Sequence, residues 1–228
     1  MKKIRFILLL TASVLFSSGS VLNATEPWQD TKLSFEERTN DLVSRLTLDE
    51  KIQLMSYDSP AIPRLGIKKY NWWNECLHGV ARAGLATVFP QAIGMGAMWD
   101  TQGMHKIANA ISDEARAKYN DFQRQGKYGM YMGLTYWTPN INIFRDPRWG
   151  RGMETYGEDP YLNGVMGTAL VRGFQGETLN DGKSVIATLK HFASYGWTEG
   201  GHNGGTAHIG ERELEEAIFP PFREAVGA

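Results

Sequence analysis

The stretch RDPRWGRGMETYGEDP, Arg145 to Pro160, carries three arginines and four carboxylates among three glycines and two prolines. Charge this dense belongs on a solvated loop, yet Trp149 and Tyr156 lie inside it. Arginine donates hydrogen bonds in a fixed fork and carboxylates accept them, so the block suits a salt-bridged turn or a site that grips hydroxyl groups. Other polar clusters follow apolar runs. WWNECLHG (72–79) holds Glu75, SVIATL (184–189) runs straight into Lys190-His191, and YGWTEGGHNGG (195–205) is a glycine-rich loop. If the apolar runs are parallel strands, their carboxyl ends converge on one face. Glu75, Arg151, Lys190 and His191 then meet in one pocket, with an inventory of donors and acceptors that fits a neutral polyol.

Each cluster also has a purely structural reading. Glu75 can cap the turn that follows it. For most of Arg145, Asp146, Arg148, Arg151, Glu154, Glu158 and Asp159, a network pinning the loop is expected. A surface role for Lys190 is disfavoured by the apolar run leading into Lys-His. His78 and His105 read as structural histidines. His202 and His208 lack cysteine or His-x3-His company, so no metal and no cofactor are expected. Cys76 lies beside Glu75 and near His78, the raw material of a thiol nucleophile. That chemistry needs a base within reach and a lowered pKa, which spacing alone does not supply, so a buried inert thiol is expected. GxSxG is absent.

Elements to position these residues can be read locally. SFEE (34–37) is a capping box opening a helix through Leu42, Val43 and Leu46, and TLDE (47–50) repeats the device ahead of Ile52 and Met55. IPRLGI (62–67) is a turn-rich link. KYNWW (69–73), ATVF (86–89), LTYWTPNINIF (134–144, interrupted by Pro139) and SVIATL read as strands. Asp100 can cap a long helix with Met104, Ile107, Ala108 and Ile111 on one face. Asp159-Pro160 starts another, carried by Leu162, Val165, Met166, Ala169 and Leu170 to Gly173. A last helix begins near Glu211 and is interrupted by Pro220-Pro221. Strand–helix alternation predicts a parallel α/β sheet, either doubly wound or a (β/α)8 barrel. The nucleotide signatures GxGxxG and GxxxxGK[ST] are missing.

The chain has 228 residues and opens on Lys2, Lys3 and Arg5 before FILLLTASVLF, a run short for a bilayer span. Residues 1–24 read as a cleavable signal peptide ending at Ala24, giving a periplasmic or secreted protein without a stable membrane anchor. Removing that leader takes three of the 24 basic groups and none of the 25 acidic ones, so the net charge moves from −1 to −4. Such a balance gives no reason to expect nucleic acid as a partner. Cys76 is the single cysteine, so no internal disulfide can form. Seven tryptophans are compatible with sugar stacking and equally with a core.

Taken in order, LTLDEKIQLM, IPRLGI, YNWWNECLHGVAR, VFPQAIGMGAMWD, TPNINIFRDPRWGRGMETYGEDPYL, KHF and ERELEEAIFPPFREAV resemble the N-terminal barrel of the family 3 glycoside hydrolases. The WWNE-x-LHG form is similar to the β-xylosidase and α-L-arabinofuranosidase branch, where β-glucosidases more often carry Asp-Gly-Pro. The resemblance implies that Glu75, Arg151, Lys190 and His191 bind the glycone of a β-linked oligosaccharide, with Trp72, Trp73 and Trp149 lining or supporting the pocket. It implies a retaining mechanism, with a nucleophilic aspartate in an SDW- or SDC-like motif that falls beyond Ala228, and an acid/base residue also outside the chain. Residues 25–228 are then expected to be an incomplete barrel, a partial (β/α)8 TIM barrel of about the first five βα units, inactive alone and prone to self-association at its open edge. A non-catalytic carbohydrate-binding fragment and an inactive gene relic are the alternatives.

Overall fold

A computed structural model describes residues 26–179 and 182–228. The leader expected over residues 1–24 lies outside them. The chain divides into two units, Met1–Thr47 and Leu48–Ala228.

In the first unit, a short 3-10 turn at Pro27–Gln29 precedes α1, Phe35–Arg45. The capping box forms as its sequence requires. Ser34 Oγ accepts from the Glu37 N–H at 3.2 Å, and Glu37 Oε2 accepts from the Ser34 N–H at 2.8 Å. Arg38 donates to the Trp28 carbonyl at 2.9 Å, and Asp41 accepts from the Trp28 N–H at 3.2 Å, tying the turn to the helix.

The second unit opens with α2, Leu48–Leu54, and is mostly helix and irregular backbone, with little strand. β1 (Asp58–Ser59) and β2 (Tyr70–Asn71) pair antiparallel. The KYNWW run is therefore a two-residue strand outside any parallel sheet. ATVF forms no strand. Its Phe89 N–H donates to the His78 carbonyl at 2.8 Å, and Val88 is exposed. A short helix α3 (Ala92–Gly96) leads to α4, Thr101–Arg124, whose first turn is capped by Asp100 accepting from the Gly103 N–H at 2.9 Å.

β3 (Thr135–Tyr136) pairs parallel with β4 (Ile186–Ala187), Thr135 opposite Ile186 and Tyr136 opposite Ala187. One further parallel bridge joins Asn140 to Lys190. Between β3 and β4 runs α5, Pro160–Gln175, started by Asp159 accepting from the Leu162 N–H at 2.6 Å. The last helical stretch runs on from Glu211 to Val226, with a π turn just ahead of its prolines. α6 (Glu211–Glu213) widens into a π turn over Leu214–Ile218, and α7 begins at Phe219 and runs to Val226. Pro220 and Pro221 lack an N–H but sit in the first turn of α7, so the expected interruption is instead a widening of the helix over Leu214–Ile218.

The core lies where α4, α5 and α7 meet the β3–β4 ladder. Met104, Ala108, Ile111 and Ala115 form one stripe of α4 at helical spacing, against Met166, Leu170 and Phe174 of α5. Tyr136, Ile141, Ile143 and Val185 come from the strand side, and Phe222 and Ala225 from α7. α4 and α5 cross closely at Gly173, where an added Cβ would sit 2.5 Å from Ala108 Cβ and 2.7 Å from the His105 carbonyl oxygen. Gly173→Ala is expected to wedge the crossing apart and cost roughly 1–3 kcal/mol of stability. Chemical denaturation would measure it, and an unchanged midpoint would show that the crossing has slack.

Candidate functional site

Glu75 follows β2 on a segment held by Asn74, which is 1% exposed. The Asn74 side chain accepts from the Gly133 N–H at 2.8 Å and donates to the Thr135 carbonyl at 2.8 Å. The Trp137 N–H also donates to the Asn74 backbone carbonyl at 2.9 Å. Glu75 is thus fixed beside β3. Both of its carboxylate oxygens are engaged, Oε1 by the Trp73 indole N–H at 2.9 Å and Oε2 by the Arg82 guanidinium at 3.1 Å.

Arg151 sits in the turn after Trp149, closed by the Gly152 N–H donating to the Trp149 carbonyl at 3.2 Å. Its guanidinium donates through Nε and Nη2 to the two oxygens of Glu154 at 2.6 and 2.5 Å, and through Nη1 to the Tyr195 hydroxyl at 3.0 Å. In the same block, Asp146 accepts from Arg148, and Asp159 caps the next helix, α5.

Lys190 and His191 follow β4. The Lys190 backbone donates to the Pro139 carbonyl at 3.1 Å and accepts from the Ile141 N–H at 3.0 Å. Asn142 sets the His191 ring. Its amide N–H donates to the His191 carbonyl at 3.1 Å, so its oxygen faces the His191 backbone N–H at 3.0 Å and Nδ1 at 2.8 Å. An oxygen can only accept, so Nδ1 carries the proton and Nε2 the lone pair.

Glu75, Arg151 and Lys190 line one cavity of about 350 Å³, together with Glu154, Arg82, His78 and Val88. This lies at the small end of the roughly 300–1,000 Å³ usual for small-molecule sites. His191 is not on its wall but packs its ring 4.5 Å from Tyr195, the residue bonded to Arg151. None of the three tryptophans is on the wall either. Trp73 stacks on Trp137 at 4.4 Å and supports Glu75 through its N–H. Trp149 is buried with its edge toward Tyr195 at 5.5 Å. Trp72 packs against Tyr70 and donates to Ser59 Oγ at 2.9 Å. A larger cavity of about 820 Å³, walled by Arg145, Arg148, Trp197 and His208 among others, holds none of the expected binding residues.

The cavity wall sets three cations, Arg82, Arg151 and Lys190, against two carboxylates, Glu75 and Glu154. The hydrogen bonds that Arg151 donates to Glu154 raise the arginine's pKa above the ordinary value. Burial works to raise the Glu154 carboxyl, yet the bonds from Arg151 leave it below the usual carboxylate range. Burial, with neighbouring Arg151, lowers Lys190 against the pull of Glu154 and Glu75. With both carboxylates paired to arginines, the wall still offers many donors and acceptors to hydroxyl groups. Glu154, Tyr195, Arg82 and Asn142 were not singled out as binding residues by sequence. Only Glu154 had a signal, three residues after Arg151 with opposite charge. Cys76 is fully buried and burial raises its thiol pKa, while His78 Nδ1 is engaged by the Phe89 carbonyl at 2.9 Å. The thiol nucleophile therefore lacks the thiolate it would need. Among the described residues, no group of three or more histidine, cysteine or acidic side chains is placed to hold a metal ion.

Burial first, then Lys190 and Arg151, lower the His191 pKa from 6.5 to about 4. Above pH 6.5 the ring is neutral in folded and unfolded chains, and its contribution is complete. Between pH 6.5 and about 4 the unfolded chain takes up a proton that the folded chain refuses, so stability falls. His191→Gln, which does not titrate, is expected to lose less stability across that window. Denaturation midpoints at several pH values would read this, and identical slopes for both proteins would refute it.

Residues 39–228 match the family model described as the glycosyl hydrolase family 3 N terminal domain. The chain is 46% identical over 205 residues to a xylan 1,4-β-xylosidase of Xylanibacter ruminicola, covering 89% of this chain and 24% of that protein. It is 42% identical to a β-xylosidase/α-L-arabinofuranosidase of Medicago sativa subsp. varia, over 86% of this chain and 26% of that protein. The chain thus spans about a quarter of the length of the curated relatives it matches. Among solved structures it superposes with a TM-score of 0.73 and 35% identity on a family 3 exo-β-xylosidase in complex with a xylobiose aziridine activity-based probe, covering 87% of this chain and 26% of that one. A β-glucosidase from Erythrobacter marinus matches with a TM-score of 0.69 and 30% identity, over 89% and 31% of the two chains. Sequence blocks, family model and superposition agree that this chain belongs to glycosyl hydrolase family 3, through the family's N-terminal domain.

Proposed function

We infer that this chain is the glycone-binding part of a retaining glycosidase that releases terminal β-linked xylose or glucose from oligosaccharides, exported by the leader at residues 1–24. The observation that carries it is the convergence of Glu75, Arg151 and Lys190 on one cavity, from segments far apart in sequence. Lys190 and Arg151 donate to sugar hydroxyls, Glu75 accepts from them, and the His191 ring is held in the Nδ1–H form by Asn142. On this reading residues 25–228 supply part of a (β/α)8 barrel, with β3 and β4 as neighbouring parallel staves.

Retaining hydrolysis needs one carboxylate to attack the anomeric carbon and another to protonate the leaving oxygen, about 5–5.5 Å apart. The two carboxylates of this cavity are occupied otherwise. Glu154 is held ionised by two bonds from Arg151, which unfits it as a proton donor, and Glu75 is bonded by Trp73 and Arg82. The family resemblance assigns the nucleophile and the acid to other parts of the longer family fold. A second reading, a carbohydrate-binding role without catalysis, is favoured by the same engagement of both carboxylates.

Titration of the chain with xylose and with glucose by ligand-observed NMR tests the binding role. Millimolar binding is expected, weakened at least about tenfold in Lys190→Ala, the scale of one charge-assisted hydrogen bond. Absence of binding to either sugar would sink it. Aryl β-xyloside, β-glucoside and α-arabinofuranoside should not turn over with this chain alone. Turnover lost in Glu75→Gln would place the chemistry inside this cavity instead.

A further inference from the structure

The glycine-rich loop over 195–205 is the one sequence cluster that sugar gripping leaves unused. Its Asn203 is exposed, yet its side-chain oxygen reaches both Tyr195 and the buried Trp149. It accepts from the Trp149 indole N–H at 3.2 Å and from the Tyr195 hydroxyl at 2.7 Å. An indole N–H can only donate, so the amide must present oxygen, not nitrogen, to Trp149. The Tyr195 hydroxyl spends its proton on that oxygen, and its own oxygen accepts from Arg151 Nη1 at 3.0 Å. The bonds thus run in one direction, from Arg151 through Tyr195 to Asn203.

Tyr195 is the hub of this arrangement. Its ring lies 5.2 Å from the Arg151 guanidinium and 4.5 Å from the His191 ring. The loop bearing Asn203 lies flat on the backbone at 148–149, where a Cβ on Gly201 would stand 2.9 Å from the Trp149 nitrogen. Gly201 and Gly204 sit at φ +70° and +74°, so the loop can fold there and can also rearrange there.

We propose that Asn203 is a positioning residue, a latch by which the glycine-rich loop, through Tyr195, aims Arg151 at the sugar. The proposal rests on the sugar-binding reading of the cavity. Glu154 holds Nε and Nη2 and so sets the guanidinium plane, and the Tyr195 hydroxyl takes Nη1 as a third anchor. The Tyr195 oxygen accepts that bond with a lone pair, and Asn203, by taking the hydroxyl proton, holds Tyr195 in place as the anchor. Release of the loop strands the Trp149 N–H in a buried site and frees the tyrosine hydroxyl to rotate.

The test uses the full chain with two readouts, xylose affinity by ligand-observed NMR and the rate of Arg151 modification by phenylglyoxal, read by peptide mass spectrometry. Asn203→Ala should weaken xylose about tenfold and speed Arg151 modification several-fold, whereas Asn203→Asp, which still accepts both bonds, should stay within roughly threefold of the parent on both. Should Asn203→Ala fail to fold, Tyr195→Phe keeps the ring contacts, removes the hydroxyl, and should show the same two changes. Parental values of both readouts in a folded Asn203→Ala or Tyr195→Phe overturn the latch. If the parent binds no xylose, the sugar reading falls, and the Arg151 modification rate alone decides the latch.

Discussion

Everything at the cavity depends on the register of a very short parallel ladder. Thr135 and Tyr136 pair with Ile186 and Ala187, and the chain stays in step as far as the bridge between Asn140 and Lys190. A slip by one residue would turn every side chain of β4 to the opposite face and carry Lys190 away from Arg151 and Glu154. With so few ladder bonds, the register must be enforced from elsewhere. Val185 and Tyr136 are buried against α4 and α5, and Asn142 clasps His191 from both its backbone groups and its ring.

Leaving a ladder early creates unpaired backbone groups, and buried ones are costly. This chain meets the cost with asparagines. Asn74 takes the place of a neighbouring strand for Gly133 and Thr135, and Asn142 does so for His191. Asn163 covers the Tyr156 N–H and the Gly157 carbonyl where the charged block meets α5. A primary amide has a donor and an acceptor at one tip, which no aliphatic side chain can offer. Precision at the cavity therefore comes from side-chain amides more than from regular structure.

That division decides what could be read from the sequence. Helix starts were legible because capping is local: Ser34 with Glu37, Asp100 and Asp159-Pro160 each sit within three residues of the group they satisfy. Pro220-Pro221 marked a disturbance of the last helix, but the helix widens ahead of them rather than stopping there. The state of 86–89 was not legible, since a run such as ATVF looks the same whether it pairs with a sheet or merely closes on His78. Among the site residues, the charge pattern marked Arg151 only as one arginine of three, and the family resemblance singled it out. The roles of Tyr195, Asn142 and Arg82 depend on contacts that no local spacing encodes.

The electrostatics follow from the same geometry. Lys190 is half-buried at the end of the ladder, where an unpaired charge would be costly. Glu154 pulls its pKa upward and Arg151 pushes it down, while burial pushes it further down. Were Arg151 not tied by both of its bonds to Glu154, its charge would bear on Lys190 and His191 without a screen. The Arg151–Glu154 pair is therefore more than a loop brace. It lets two cations and a neutral imidazole share one end of a ladder, and it leaves their remaining hydrogen-bonding capacity as what the cavity offers a ligand.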